Sequence, residues 1–138
     1  MTAKPLHIVL VEDDDIDVMN VQRAFERAQI RAPVLRAADG VEALELLRNP
    51  ATPAARRLVL LDLNLPRMNG LEFLRELRGD PLLRRTPVVV LTTSDDAQDK
   101  QLAFDMNVAG YLVKPVVFSS FVELMSSLYR YWTQAELP

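Results

Sequence analysis

Short, unbroken apolar runs recur along the chain, separated by longer stretches in which apolar residues return every three or four positions. The runs are Ile8-Val9-Leu10-Val11, a weaker Val34-Leu35, Leu58-Val59-Leu60-Leu61, Val88-Val89-Val90-Leu91 and Tyr111-Leu112-Val113. Continuous rather than alternating apolar character predicts strands buried on both faces, as in a parallel sheet. The intervening patterns predict helices. Residues 15–29 carry Ile16, Met19, Ala24, Phe25 and Ala28, and residues 41–48 carry Val41, Ala43, Leu44 and Leu47. Residues 70–78 carry Leu71, Phe73, Leu74 and Leu77. A weaker pattern over 96–106 has Leu102, Ala103 and Met106, and a strong one covers 118–132. Five strand–helix units in succession specify an α/β fold with right-handed crossovers.

Gly and Pro fall between these elements. Asp39-Gly40 opens the second helix, Gly79-Asp80-Pro81 ends the third, and Pro87 precedes the fourth strand. Residues 49–57 read as a long surface loop rather than a domain linker. At 138 residues the chain suits one domain with one core. We expect that domain to span 1–138, with its core over about 5–132.

Composition narrows the chemistry. The formal net charge is −3 and no Lys/Arg-rich run occurs, so nothing marks a nucleic-acid footprint. The absence of cysteine excludes disulfides, thiolate metal sites and Cys nucleophiles. No apolar stretch suits a signal peptide or a membrane span, and a cytoplasmic location is expected. The single histidine, His7, lies at the start of the first strand and has no second histidine to form a metal pair or a base–orienter pair.

Four apolar runs end in polar groups that are costly to bury. Val11 is followed by Glu12 and Asp13, Leu61 by Asp62, Leu91 by Thr92, and Val113 by Lys114. Any one could be a turn residue. Four in order along the chain point to the rim beyond the carboxyl ends of a parallel sheet, where open α/β folds bind ligands. Three carboxylates brought together there would resist ionising. A Mg²⁺ ion, which takes oxygen ligands and pairs readily with phosphate, resolves that conflict. With a lysine and a threonine hydroxyl opposite, these groups suit phosphoryl transfer to a carboxylate. Asp14, Asp15 and Asp17 are assigned no such chemistry: at least one should cap the first helix.

The pieces IVLVEDD (8–14), LVLLDLNLPRMNG (58–70), PVVVLTTS (87–94) and AGYLVKPV (109–116) resemble the receiver domain of two-component response regulators. Thr92 follows Asp62 by 30 residues and Lys114 follows Thr92 by 22, spacings that suit that family. The resemblance implies a doubly wound, flavodoxin-like fold, with a five-stranded parallel sheet of order 2-1-3-4-5. It implies that Asp62 accepts phosphate from a sensor histidine kinase, and that Asp13 binds Mg²⁺ directly and Glu12 through water. Asn64 would offer a backbone carbonyl to the metal, and Thr92 and Lys114 would contact the phosphoryl group. Tyr111 would be the aromatic switch that follows Thr92, and Lys114-Pro115 a cis peptide. The protein would catalyse only its own phosphorylation and slow dephosphorylation. A narrower likeness, in RAF (23–25), LTTS (91–94) and VKPVVFSSFVELMSSLYRYW (113–132), is to small single-domain regulators that partner bacterial phytochromes.

Only six residues follow Trp132, so no effector domain is expected and output should be a protein contact or onward phosphorelay. Phe118, Phe121, Val122, Met125, Leu128, Tyr129 and Trp132 form the inner face of the last helix, and Leu124 and Tyr131 widen it beyond what a core needs. That leaves two readings, a generously buried helix or a homodimer surface over the fourth helix, fifth strand and fifth helix. Three other functions compete with this one. A haloacid-dehalogenase-type phosphatase needs an acid where Asn64 stands. A flavodoxin-like FMN module needs a phosphate loop where Glu12 to Asp15 stand. A phosphorylation-independent binding module would have no use for the full set of acids, Thr92 and Lys114.

Overall fold

The computed structural model describes residues 5–138, so the first four residues of the expected 1–138 span lie outside it. Five strands and five helices alternate. The strands are β1 (His7–Val11), β2 (Val34–Ala37), β3 (Arg57–Leu61), β4 (Val88–Thr92) and β5 (Gly110–Val113). The helices are α1 (Asp15–Arg27), α2 (Gly40–Arg48), α3 (Gly70–Gly79), α4 (Ala97–Asp105) and α5 (Phe118–Gln134). All strand pairs are parallel and the order is β2-β1-β3-β4-β5, as expected.

The apolar runs are continuous because the central strands are covered on both sides. Val9, Val11, Val59, Leu61, Val88 and Val90 face α2 and α3. Ile8, Leu10, Leu58, Leu60, Val89 and Leu91 face α1 and α5. The edge strand β2 is half covered, with Leu35 exposed, which accounts for its weak apolar signal. Parallel pairing puts Val11, Leu61 and Thr92 at the same end of the sheet, with Val11 paired to Leu61 and Thr92 to Val113. The polar residues that follow these strands therefore share one rim.

Helix starts follow their caps. Asp14, Asp39 and Asp96 accept amide hydrogen bonds at the starts of α1, α2 and α4. Asn69 and Glu72 form a reciprocal capping box at α3. Gly70 is required by a close approach: a Cβ there would lie 2.6 Å from Leu63 Cα and 2.7 Å from the Asp62 carbonyl oxygen. The start of α3 is thereby seated directly on the residue after Asp62.

Three expectations change. In α1 the buried residues are Val18, Val21, Ala24 and Phe25, whereas Ile16 is 69% exposed and Met19 is also exposed. The residues at 18, 21 and 25 form the true inward stripe, and the first-turn apolar residues lie off it. In α4 only Ala103 is buried, while Leu102 and Phe104 face outward. No cis peptide bond occurs among the described residues, so Lys114–Pro115 is trans. The trans form is intrinsically favoured by about 0.5–1 kcal/mol before proline, and in it the Lys114 amide reaches the Thr92 carbonyl at 2.8 Å.

Candidate functional site

The strand-end residues converge. Asp62 is buried at the end of β3, and its amide donates to the Val11 carbonyl at 3.0 Å, which ties it to β1. Thr92, wholly buried at the end of β4, donates its hydroxyl to Asp62 Oδ1 at 2.8 Å. The Asn64 amide also donates to Asp62 Oδ1, at 3.3 Å. Lys114 reaches across from β5: its Nζ lies 2.6 Å from Glu12 Oε1 and 3.9 Å from Asp62 Oδ2. Oxygens of Glu12, Asp13 and Asp62 lie within 4.8 Å of one another. Glu12 and Asp62 are buried and Asp13 is exposed, so the group opens to solvent on one side.

The electrostatics follow from this packing. Burial pushes the Glu12 carboxyl up to about 7, although the Lys114 hydrogen bond and charge pull the other way. Burial would lower the Lys114 ammonium, but Glu12, Asp62 and Asp17 outweigh it and hold the group above its ordinary value. Four carboxylates, those of Glu12, Asp13, Asp17 and Asp62, gather around the single Lys114 ammonium, which leaves a surplus of carboxylate over cation. Three hard oxygen donors with that surplus fit a small divalent cation.

Two side chains not foreseen from the sequence shape the site. Asp17, assigned no chemistry, accepts from Lys114 Nζ at 3.3 Å. Its helical position three residues after the cap turns it towards the rim, which a linear reading does not show. Arg36 on β2 donates to the carbonyls of Glu12 at 3.0 Å and Asp13 at 2.9 Å, and pairs with Asp15 at 2.7 Å. It pins the loop that carries the acids from the neighbouring strand. On the other side, Arg67 pairs with buried Asp39 at 2.6 Å, and the Gly40 amide donates to the Met68 carbonyl, so the loop after Asp62 is anchored to the start of α2.

Tyr111 is half-buried, and its hydroxyl donates to the Ser94 carbonyl at 2.9 Å. The Ser94 amide in turn donates to the Thr92 hydroxyl oxygen at 3.3 Å, and the Ser94 hydroxyl to Asp99 Oδ2 at 2.7 Å. A hydrogen-bonded path thus runs from Asp62 through Thr92 and Ser94 to Tyr111. Beside the site, a cavity of about 270 Å³ is lined by Asp17, Asn20, Thr93, Lys114 and Phe118 among others.

Comparisons with known proteins bear on the family and the fold. A family model described as "response regulator receiver domain" matches residues 8–126. The chain is 38% identical over 130 residues to the probable methanogenesis regulatory protein FilR2 of Methanothrix harundinacea, covering 93% of this chain and 84% of that one. It is similar in structure to the phosphorylated cyanobacterial phytochrome response regulator RcpA, with a TM-score of 0.86 and 36% identity over 98% of this chain and 99% of that one. It is also similar to the Mn²⁺-bound form of response regulator Rcp1, with a TM-score of 0.82 and 33% identity over 97% of this chain and 99% of that one.

Proposed function

The chain belongs to the response regulator receiver family, and from that premise we propose that Asp62 is its phosphoacceptor. One carboxylate oxygen of Asp62 attacks phosphorus, the bond to the donor atom breaks, and its electron pair leaves with the donor. Thr92 and Lys114 stand ready to take the new negative charge, one with a hydroxyl and the other with an ammonium. Glu12, Asp13 and Asp62, with the backbone carbonyl of Asn64, would hold Mg²⁺. When bound, the ion would neutralise the crowded acids and the phosphoryl oxygens. The observation that carries this reading is the meeting of Asp62 with Thr92 and Lys114 from three separate strand ends. Acetyl phosphate with Mg²⁺ should label the protein, and Asp62→Asn should abolish the label. Persistent acid-stable labelling of that variant would remove Asp62 from the role. An unlabelled wild type would leave a phosphorylation-independent binding module.

The donor we propose is a sensor histidine kinase of the phytochrome type, which this chain would meet in the cytoplasm. The likeness to RcpA over nearly the whole of both chains supports that choice. Among the described residues no helix is long and apolar enough to cross a membrane. Phosphotransfer profiling against the histidine kinases of the source organism tests the pairing.

Output is proposed to run through α4, β5 and α5, as a contact with a second copy of the chain or with a relay partner. Tyr131 is 64% exposed, and Leu102, Phe104 and Val113 are also exposed on this side. An open groove of about 300 Å³ lies between β5 and α5, lined by Leu112, Leu124, Leu128, Tyr131 and Trp132 among others. The wide apolar face of α5 is therefore not consumed by the core, which favours the interface reading. Sedimentation of wild type against Leu124→Glu/Tyr131→Glu tests homodimerisation: the variant should lose a dimer that the wild type forms.

A further inference from the structure

Lys114 is held by three acids, one of which lies outside the metal-ligating group. Its Nζ lies 2.6 Å from Glu12 Oε1, 3.3 Å from Asp17 Oδ2 and 3.9 Å from Asp62 Oδ2. Glu12 and Asp62 belong to the three carboxylates that converge with Asp13, and Asp17 does not. The Asp17 side chain is 36% exposed and that of Glu12 only 3%. Asp17 is thus the one partner of Lys114 that can turn to water at little cost.

We propose that Asp17 is a positioning residue: an exchangeable counter-ion that holds the Lys114 ammonium short of Asp62 and releases it when phosphate arrives. The proposal rests on the reading of Asp62 as phosphoacceptor. At 3.9 Å, Lys114 is too far from Asp62 Oδ2 for a charge-assisted hydrogen bond, which forms at about 2.7–2.9 Å. An ammonium drawn closer to a phosphoryl group on Asp62 would have to lengthen its 3.3 Å contact with Asp17, which opposes the move. A phosphoryl group brings roughly two negative charges, enough to draw the lysine from a half-exposed carboxylate. Removing the Asp17 charge should leave the lysine freer and speed phosphoryl capture. A purely through-space repulsion of the anionic donor by Asp17 would have the same sign. It would, however, be shared by Asp15, which lies in the same helical turn but pairs with Arg36.

The test uses the full chain, acetyl phosphate and saturating Mg²⁺. In the labelling step the acetyl–phosphate P–O bond breaks, its electron pair leaves with acetate, and the Asp62 O–P bond forms. Asp17→Asn and Asp17→Ser should raise the initial labelling rate about two- to five-fold, the worth of a partly exposed ion pair. Asp17→Glu should restore the wild-type rate, and Asp15→Asn should leave it unchanged. Circular dichroism melts establish that each variant is folded. An Asp17→Asn rate equal to or below wild type, or an equal gain from Asp15→Asn, would overturn the tether. A wild type that takes no label would instead defeat the phosphoacceptor reading itself.

Discussion

The Thr92 hydroxyl donates to Asp62 Oδ1 at 2.8 Å, with both side chains buried at adjacent strand ends. The same hydroxyl oxygen accepts from the Ser94 amide, and the Ser94 carbonyl accepts from Tyr111. Any group added to Asp62 has to renegotiate the first of these bonds. The loop after β4 and the Tyr111 ring are next in line.

Thr92→Ala should leave Asp62 able to accept phosphate while cutting the path to Tyr111. Loss of this buried hydrogen bond is expected to lower stability by about 1–3 kcal/mol. Fluorine NMR of fluorotyrosine-labelled protein should show the Tyr111 signal shifting on phosphorylation in the wild type and not in the variant. An equal shift in both would mean that the ring responds by another route.

Lys114→Met removes the cation that Glu12, Asp17 and Asp62 share. Truncating one partner of a buried charge pair is expected to cost about 3–5 kcal/mol at pH 8. Much of that loss should be recovered at pH 5, where the stranded Glu12 carboxyl takes a proton. Urea unfolding at the two pH values measures the difference. Labelling by acetyl phosphate should fall sharply in the same variant.

Burial raises the Glu12 carboxyl from 4.5 to about 7 in the metal-free protein. A carboxyl raised on folding favours the folded state most when it is protonated. Its contribution is complete below about pH 4.5 and is lost as the pH climbs to about 7. Metal-free wild type should therefore lose stability between these values relative to Glu12→Gln. Saturating Mg²⁺ should flatten the difference. A wild type and variant with parallel pH–stability curves would contradict the burial effect.

Gly70→Ala should destabilise the fold by about 1–3 kcal/mol, the usual cost of overpacking. The new methyl would meet the backbone of Leu63 and Asp62 rather than a flexible side chain, so the strain cannot relax locally. Thermal melting gives the magnitude. Acetyl phosphate labelling should also slow, because Asp62 moves with its carbonyl.

Much of this protein was legible in its residues alone. Buried parallel strands leave unbroken apolar runs, and caps and glycines mark helix ends, so five strand–helix units could be placed from local pattern. Glu12, Asp13, Asp62, Thr92 and Lys114 stood out because each ends an apolar run with a group that burial penalises. Tertiary structure alone decided the rest. Which side of α1 turns inward depends on its seat against the sheet, and so Val18 and Val21 are buried while Ile16 and Met19 face water. Asp17 joins Lys114, and Arg36 grips the Glu12 and Asp13 carbonyls, only because β5, α1 and β2 meet at one rim. Such contacts join positions far apart in the chain, and a one-dimensional period carries no record of them.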